Sequence, residues 1–169
     1  MAVEIIKKIF AGMKGANVTN ISFVRGYGII EDYFCLIFEN STIKYKFEIE
    51  TNFRIRDKNR ILLAFNDLYI DSRGKEISVR KYRSQKNIEK TLLFQNLNIV
   101  NQKINNTCIK DIKMFFYGDI NIILNNGIVI EILNDTHKEN SILLRLEKSS
   151  ITELLKYEIV FENQNLMLH

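Results

Sequence analysis

Apolar residues between Val3 and Met13 recur at helical spacing: Ile5, Ile6, Ile9, Phe10 and Met13 share one stripe, and Lys7 and Lys8 lie off it. This predicts a short amphipathic helix laid over a sheet, with Gly15 at the C-cap position. The period then changes to two. Phe34, Leu36 and Phe38 alternate up to a turn at Glu39–Thr42. Beyond it Ile43, Tyr45, Phe47 and Ile49 alternate with Lys44, Lys46, Glu48 and Glu50. Four apolar positions against four charged ones is the pattern of a strand with one wet face. Phe53-Arg54-Ile55-Arg56 repeats it, and Asp57–Arg60 reads as a turn into Ile61–Phe65 and Leu68–Ile70.

The later part of the chain follows the same plan. Ile109–Tyr117 reads as a strand, Gly118-Asp119 as a bend, and Ile120, Ile122 and Leu124 lead into Asn125-Asn126-Gly127. Asn-Gly between alternating apolar runs predicts a tight hairpin with a type I′ turn. Ile128, Ile130 and Ile132 return, and Ser141–Glu147 and Tyr157–Phe161 supply two more strands. Side by side, Phe34–Phe38, Ile43–Ile49 and Phe53-Arg54-Ile55 correspond to Ile120–Leu124, Ile128–Ile132 and Leu144-Arg145-Leu146, with Asn40 and Asn126 at equivalent turns. Each unit is a hairpin followed by a strand carrying apolar-Arg-apolar. The expected fold is mainly β (α+β), with antiparallel sheets from two similar half-repeats, an amino-terminal helix and a helical linker. All of it falls in one domain, 1–169, with half-repeat one at 18–70, the linker at 71–106 and half-repeat two at 107–162.

The linker is the least regular stretch. Ser72-Arg73-Gly74 is a turn signal, Val79–Arg83 is charged, and Ser84 stands where it would cap a helix over Ile88–Leu97. The irregular part, Asp71–Ile104, is 34 residues long, and a loop of that length without structure is uncommon in a compact domain, so helix is expected there.

Composition excludes several classes. The chain has 169 residues, 46% hydrophobic and 26% charged, and a mean hydropathy of −0.10. No apolar run approaches the ~20 residues of a membrane span. The first fourteen residues carry Glu4, Lys7, Lys8 and Lys14 and so form no continuous signal-peptide core. Cys35 and Cys108 sit in strand-like apolar stretches and read as buried reduced thiols, which suits a cytoplasmic protein. Proline and tryptophan are absent, so the turns rest on Gly, Asn and Asp.

The formal charge is +4, from 24 basic and 20 acidic residues. It is concentrated between Arg54 and Arg83, where Arg54, Arg56, Lys58, Arg60, Arg80, Lys81 and Arg83 stand near Phe53, Tyr69 and Tyr82. Basic side chains neutralise phosphates and aromatic rings stack on bases, so a nucleic-acid surface is one reading of this stretch. A protein-binding surface is the other, because the planar arginine fork pairs bidentately with carboxylates. Arg145 joins the candidates as the counterpart of Arg54, and both also read as exposed strand residues paired with a carboxylate across the sheet.

Catalytic chemistry finds little support. His137 lies in a polar turn and His169 is the last residue; there is no HExxH, C-x-x-C or P-loop, and Gly26-Tyr27-Gly28 alone is a weak signal. Asp32, Asp67, Asp71 and Asp119 offer an acid–base or metal cluster only if they converge, and aspartates at strand ends more often cap turns. The expectation is no enzyme, no cofactor and no dedicated metal site.

The run Tyr45–Ile49, Phe53-Arg54-Ile55, Arg60-Ile61-Leu62 and Asn66–Tyr69, followed by Gly118-Asp119-Ile120, Asn126-Gly127, Ile130-Glu131-Ile132, Asn134-Asp135 and Leu144-Arg145, resembles a group of small uncharacterised two-repeat bacterial β proteins. The resemblance covers roughly Asp32 to Leu146. This chain departs from the group in having Phe53 and Leu144 where a tryptophan would precede each arginine, and in lacking the His, Cys and Pro around the first. The resemblance implies a binding protein similar in kind to immunity proteins of bacterial toxin systems, whose partner is a cognate toxin and which engages no membrane.

Overall fold

The computed structural model describes residues 2–26, 32–84, 91–115, 118–133, 140–148, 154–162 and 165–168. Helix α1 (Ala2–Met13) is followed by β1 (Asn17–Val24), β2 (Tyr33–Glu39), β3 (Ile43–Ile49), β4 (Phe53–Asp57) and β5 (Arg60–Ala64). A 3-10 turn (Phe65–Tyr69) and the helices α2 (Val79–Ser84) and α3 (Leu92–Ile104) come next. Strands β6 (Ile109–Met114), β7 (Ile120–Leu124), β8 (Ile128–Ile132), β9 (Asn140–Lys148), β10 (Leu154–Glu162) and β11 (Asn165–Leu168) complete the described chain.

These strands form two antiparallel sheets. Sheet A has the order β1-β2-β3-β9-β10-β11 and sheet B the order β5-β4-β8-β7-β6. The repeat is visible in that order. Strands β1, β2 and β3 make a meander in sheet A, then the chain crosses to sheet B for β4 and β5. Strands β6, β7 and β8 make the matching meander in sheet B, then the chain crosses back for β9 and β10. The β3–β9 pair in one sheet is therefore the counterpart of the β8–β4 pair in the other, and a helix precedes each meander. The two meanders also meet at their starts. Gly15 donates its amide to the Ile109 carbonyl, Ile109 to Ala16, and Val18 to Thr107, at 2.8–2.9 Å.

The inward faces meet in one apolar core that includes Phe34, Leu36, Phe38, Tyr45, Phe47, Phe53, Ile55, Ile122, Ile130 and Ile132. Phe34 of sheet A and Phe53 of sheet B have ring centroids 3.8 Å apart. Both rings are essentially solvent-free, and truncating a buried Phe to Ala typically costs about 3–5 kcal/mol. The helices lie against edge strands. Helix α1 touches β6 and β11, and α3 touches β5 and β1. Asn101 of α3 donates to the Ile21 carbonyl of β1 at 3.0 Å, meeting an edge acceptor that sheet pairing leaves open. Helix α1 buries Ile6, Phe10 and Met13 and ends where Gly15 takes φ +84, as the stripe and the glycine predicted.

Four expectations need correction. Ser84 is not an N-cap: it ends α2, and the longer linker helix α3 begins after Thr91 and runs past Leu97 to Ile104. Its buried stripe is Leu93, Leu97, Val100 and Ile104, so the periodicity continues C-terminal to the stretch assigned to it. The Asn126-Gly127 turn is not type I′, which needs positive φ at both central residues. Only Gly127 has it, at +89, and its amide reaches the Leu124 carbonyl at 3.1 Å. The loop is thus three residues long, with Gly127 as the left-handed third residue that restores the ladder. The stretch Phe65–Tyr69 is a 3-10 turn rather than a continued strand, because the Asp67 carboxylate accepts the Ala64 amide at 3.1 Å and folds the chain back. Both thiols are free, but only Cys35 is buried; Cys108 is partly exposed at the start of half two. The reading of residues 134–139, His137 included, and of His169 lies outside the described residues.

Candidate functional site

Strand β4 alternates strictly. Phe53 and Ile55 enter the core, so Arg54 and Arg56 must leave on the outer face of sheet B. Its neighbour β8 sends Ile128, Ile130 and Ile132 inward and Val129 and Glu131 outward, and all five are buried. The register sets Arg54 directly across from Glu131 and Arg56 across from Val129. Extended over the sheet, it produces two outer rows. One runs Lys113, Asn121, Glu131, Arg54, Ala64; the other runs Asp111, Ile123, Val129, Arg56, Ile61.

A single carboxylate organises both arginines. Glu131 accepts the Arg54 Nε–H on Oε2 and the Arg56 Nε–H on Oε1, the latter at 2.8 Å. The Glu131 side chain is 8% exposed, whereas Arg54 is 43% exposed above it. Burial alone would push the Glu131 pKa up; the hydrogen bonds from Arg56 and Arg54, and their charges, outweigh it and hold the carboxyl below its usual range. Arg56 is further tied by Nη1 to the Lys58 carbonyl at 2.8 Å, in the two-residue turn where Lys58 takes φ +52. The terminal nitrogens of Arg54 find no acceptor among the described residues. Ile61, beside Arg56, is 54% exposed. The nearby carboxylate Asp57 is met by Lys103 of α3 at 3.6 Å, so Arg54, Arg56, Lys58 and Arg60 outnumber the Glu131 carboxylate on this corner.

The remaining candidates stand elsewhere. Arg80, Lys81 and Arg83 are exposed on α2, which packs on the 3-10 turn. A buried tyrosine fixes that helix. Tyr82 donates its hydroxyl to Asp32 Oδ2 at 2.9 Å, its ring lies under the Arg25 guanidinium at 5.3 Å, and Tyr69 meets it edge-on at 5.6 Å. Burial, then the Asp32 hydrogen bond, raises the Tyr82 pKa far above its ordinary value. Arg25 also donates to the Tyr82 and Arg83 carbonyls at 3.3 and 2.9 Å. Arg145 lies in sheet A, in register with Lys46 and Lys156 rather than with a carboxylate. The single basic stretch read from the sequence is therefore a sheet corner and a separate short helix, with Arg145 on the other sheet. Phe53 and Tyr82 are both buried, so neither ring is presented for base stacking.

The aspartates do not converge. Asp32 takes the Gly26 amide and Tyr82, Asp67 takes Ala64 and Asn96, and Asp71 takes the Arg73 and Lys75 amides. Among the described residues no three His, Cys, Asp or Glu side chains stand close enough to share a metal ion. No described helix is long and apolar enough to cross a membrane.

Glu131 was the residue the sequence reading of the site lacked. Its signal is Ile128–Ile132, IVIEI, in which a lone carboxylate sits in an otherwise apolar run. A central strand with such a residue needs a cation opposite it. No family profile, curated protein or solved structure matches the chain.

Proposed function

We propose that this chain is a protein-binding module that presents the outer corner of sheet B to an acidic partner, and that its most specific form is an immunity protein neutralising a bacterial toxin by stoichiometric binding. The observation that carries the reading is the fixation of Arg54 and Arg56 on one buried carboxylate. An arginine loses about 2 kcal/mol of rotamer freedom when ordered. Here that cost falls on folding rather than on binding, which favours a preorganised contact. Exposed Ile61 adds apolar area beside the charge, and arginine next to buried apolar surface is the usual make-up of an interface hot spot. The resemblance to two-repeat bacterial proteins points the same way.

The test is coexpression. The adjacent gene product should be toxic alone and harmless beside the wild-type chain. Arg54→Ala, which leaves Arg56 to pair with Glu131, should weaken protection while the far-ultraviolet circular dichroism stays unchanged. A nucleic-acid reading, centred on Arg80, Lys81 and Arg83, takes its place if the neighbour is harmless and the protein binds RNA or DNA with a steep salt dependence.

A further inference from the structure

We infer that Arg54 is the anchor of this face and that its terminal nitrogens seat one aspartate or glutamate carboxylate of the partner; the inference rests on the protein-binding reading and assigns its central contact.

The two arginines are chemically equal but not equally committed. Arg56 spends Nε on Glu131 and Nη1 on the Lys58 carbonyl, so it straps the β4–β5 turn to the sheet. Among the described residues Arg54 spends Nε alone. Its Nη1 and Nη2 form the outer edge of a planar fork, and that edge matches the two oxygens of a carboxylate. The neighbours differ as well. Directly across β5 from Arg54 stands Ala64, whose methyl leaves the guanidinium unscreened, whereas Arg56 faces the larger Ile61. A partner acid therefore has an open approach over Ala64, and an apolar partner residue next to it would meet Ile61.

The repeat supplies an internal control. Arg145 occupies in β9 the place that Arg54 occupies in β4, yet the residue across from it on β3 is Lys46 and the one on β10 is Lys156. Both halves adopt the same strand order. In register, the first half thus offers Lys46 where the second offers Glu131, and Glu131 marks where the second half departs from the first. We assign Glu131 as the positioning residue that aims Arg54 outward.

Arginine side-chain nitrogen NMR of the full chain, titrated with hexaglutamate at low salt, tests the assignment. Inorganic phosphate and oligothymidine serve as parallel arms. Hexaglutamate should shift the Arg54 Nη signals saturably. Arg54→Lys should weaken binding at least fivefold and Arg56→Lys less than twofold, and in Glu131→Gln that difference between the two sites should vanish. Equal losses at Arg54 and Arg56 would overturn the assignment. Shifts confined to Arg80 and Arg83 would also overturn it, while leaving an acidic protein partner in place at another surface. A response to oligothymidine without one to hexaglutamate would overturn both the anchor and the protein-binding reading.

Discussion

The hydroxyl of Tyr45, at the centre of sheet A, donates to the Gly12 carbonyl of α1 at 3.0 Å. That carbonyl lies in the last turn of the helix, where no intrahelical donor is available to it, and Tyr45 is 2% exposed. Asn40 Nδ2 approaches the same oxygen at 3.4 Å. One bond thus closes the helix end and fixes α1 on the sheet. Tyr45→Phe keeps the ring and removes the donor. It should lower stability by about 1 kcal/mol, read as a fall in Tm with unchanged circular dichroism at 25 °C.

Gly127→Val places a β-branched residue at φ +89, a conformation that strains any L side chain even though nothing stands within 4 Å of the new Cβ. The cost should be about 1–3 kcal/mol. Gly127→Asn should cost less, because asparagine tolerates the left-handed region. Chemical denaturation of the two variants ranks them, and equal midpoints would remove the turn assignment.

Lys58 invites the opposite change. It holds φ +52 in the β4–β5 turn with a side chain that needs no such conformation. Lys58→Gly removes a left-handed penalty of about 1–2 kcal/mol and adds a glycine entropy cost of about 0.5–1. The net expectation is a small gain in the denaturation midpoint. The Arg56 bond survives because it uses the Lys58 backbone carbonyl.

Glu131 should make the fold acid-sensitive. Burial raises its pKa, but the arginine hydrogen bonds and charges prevail and the folded value lies below the unfolded one. The contribution is then fully present above the unfolded carboxyl pKa and is lost as pH falls through the folded value. Glu131→Gln should cost about 1–3 kcal/mol at pH 7 and flatten the decline of stability below about pH 4. Urea midpoints for both proteins between pH 3 and 7 check this, and parallel curves would refute it.

Phe53 distinguishes packing from recognition. Its ring lies against Phe34 across the two sheets, so Phe53→Ala should cost about 3–5 kcal/mol. Phe53→Leu should keep the fold and leave any partner affinity within twofold, measured by calorimetry.

Local pattern was enough to read the inner strands, the amino-terminal helix and the repeat, though not the edge strands β1 and β11, because alternation of two and stripes near 3.6 are backbone geometry written into side-chain order. The charged positions of β3 and the Ile-rich β7 and β8 could face only one way once a core existed. Three-dimensional pairing was not legible in that order. Glu131 and Arg54 are 77 residues apart and meet only because β4 leaves the first half-repeat to pair with β8 of the second. The same crossing separates Arg145 from Arg54, which local sequence makes look equivalent, and sets it opposite Lys46 instead of a carboxylate. The aromatic partners of the basic stretch went into the core for a related reason: Phe53 alternates with Arg54, and Tyr82 lies on the inner side of a six-residue helix whose exposed side carries Arg80, Lys81 and Arg83. Sequence alone thus determines which strand positions turn toward the core and which turn away, through periodicity and the hydrophobic effect. Which wet residue confronts which is decided by strand order and register, and these depend on contacts between segments far apart in the chain.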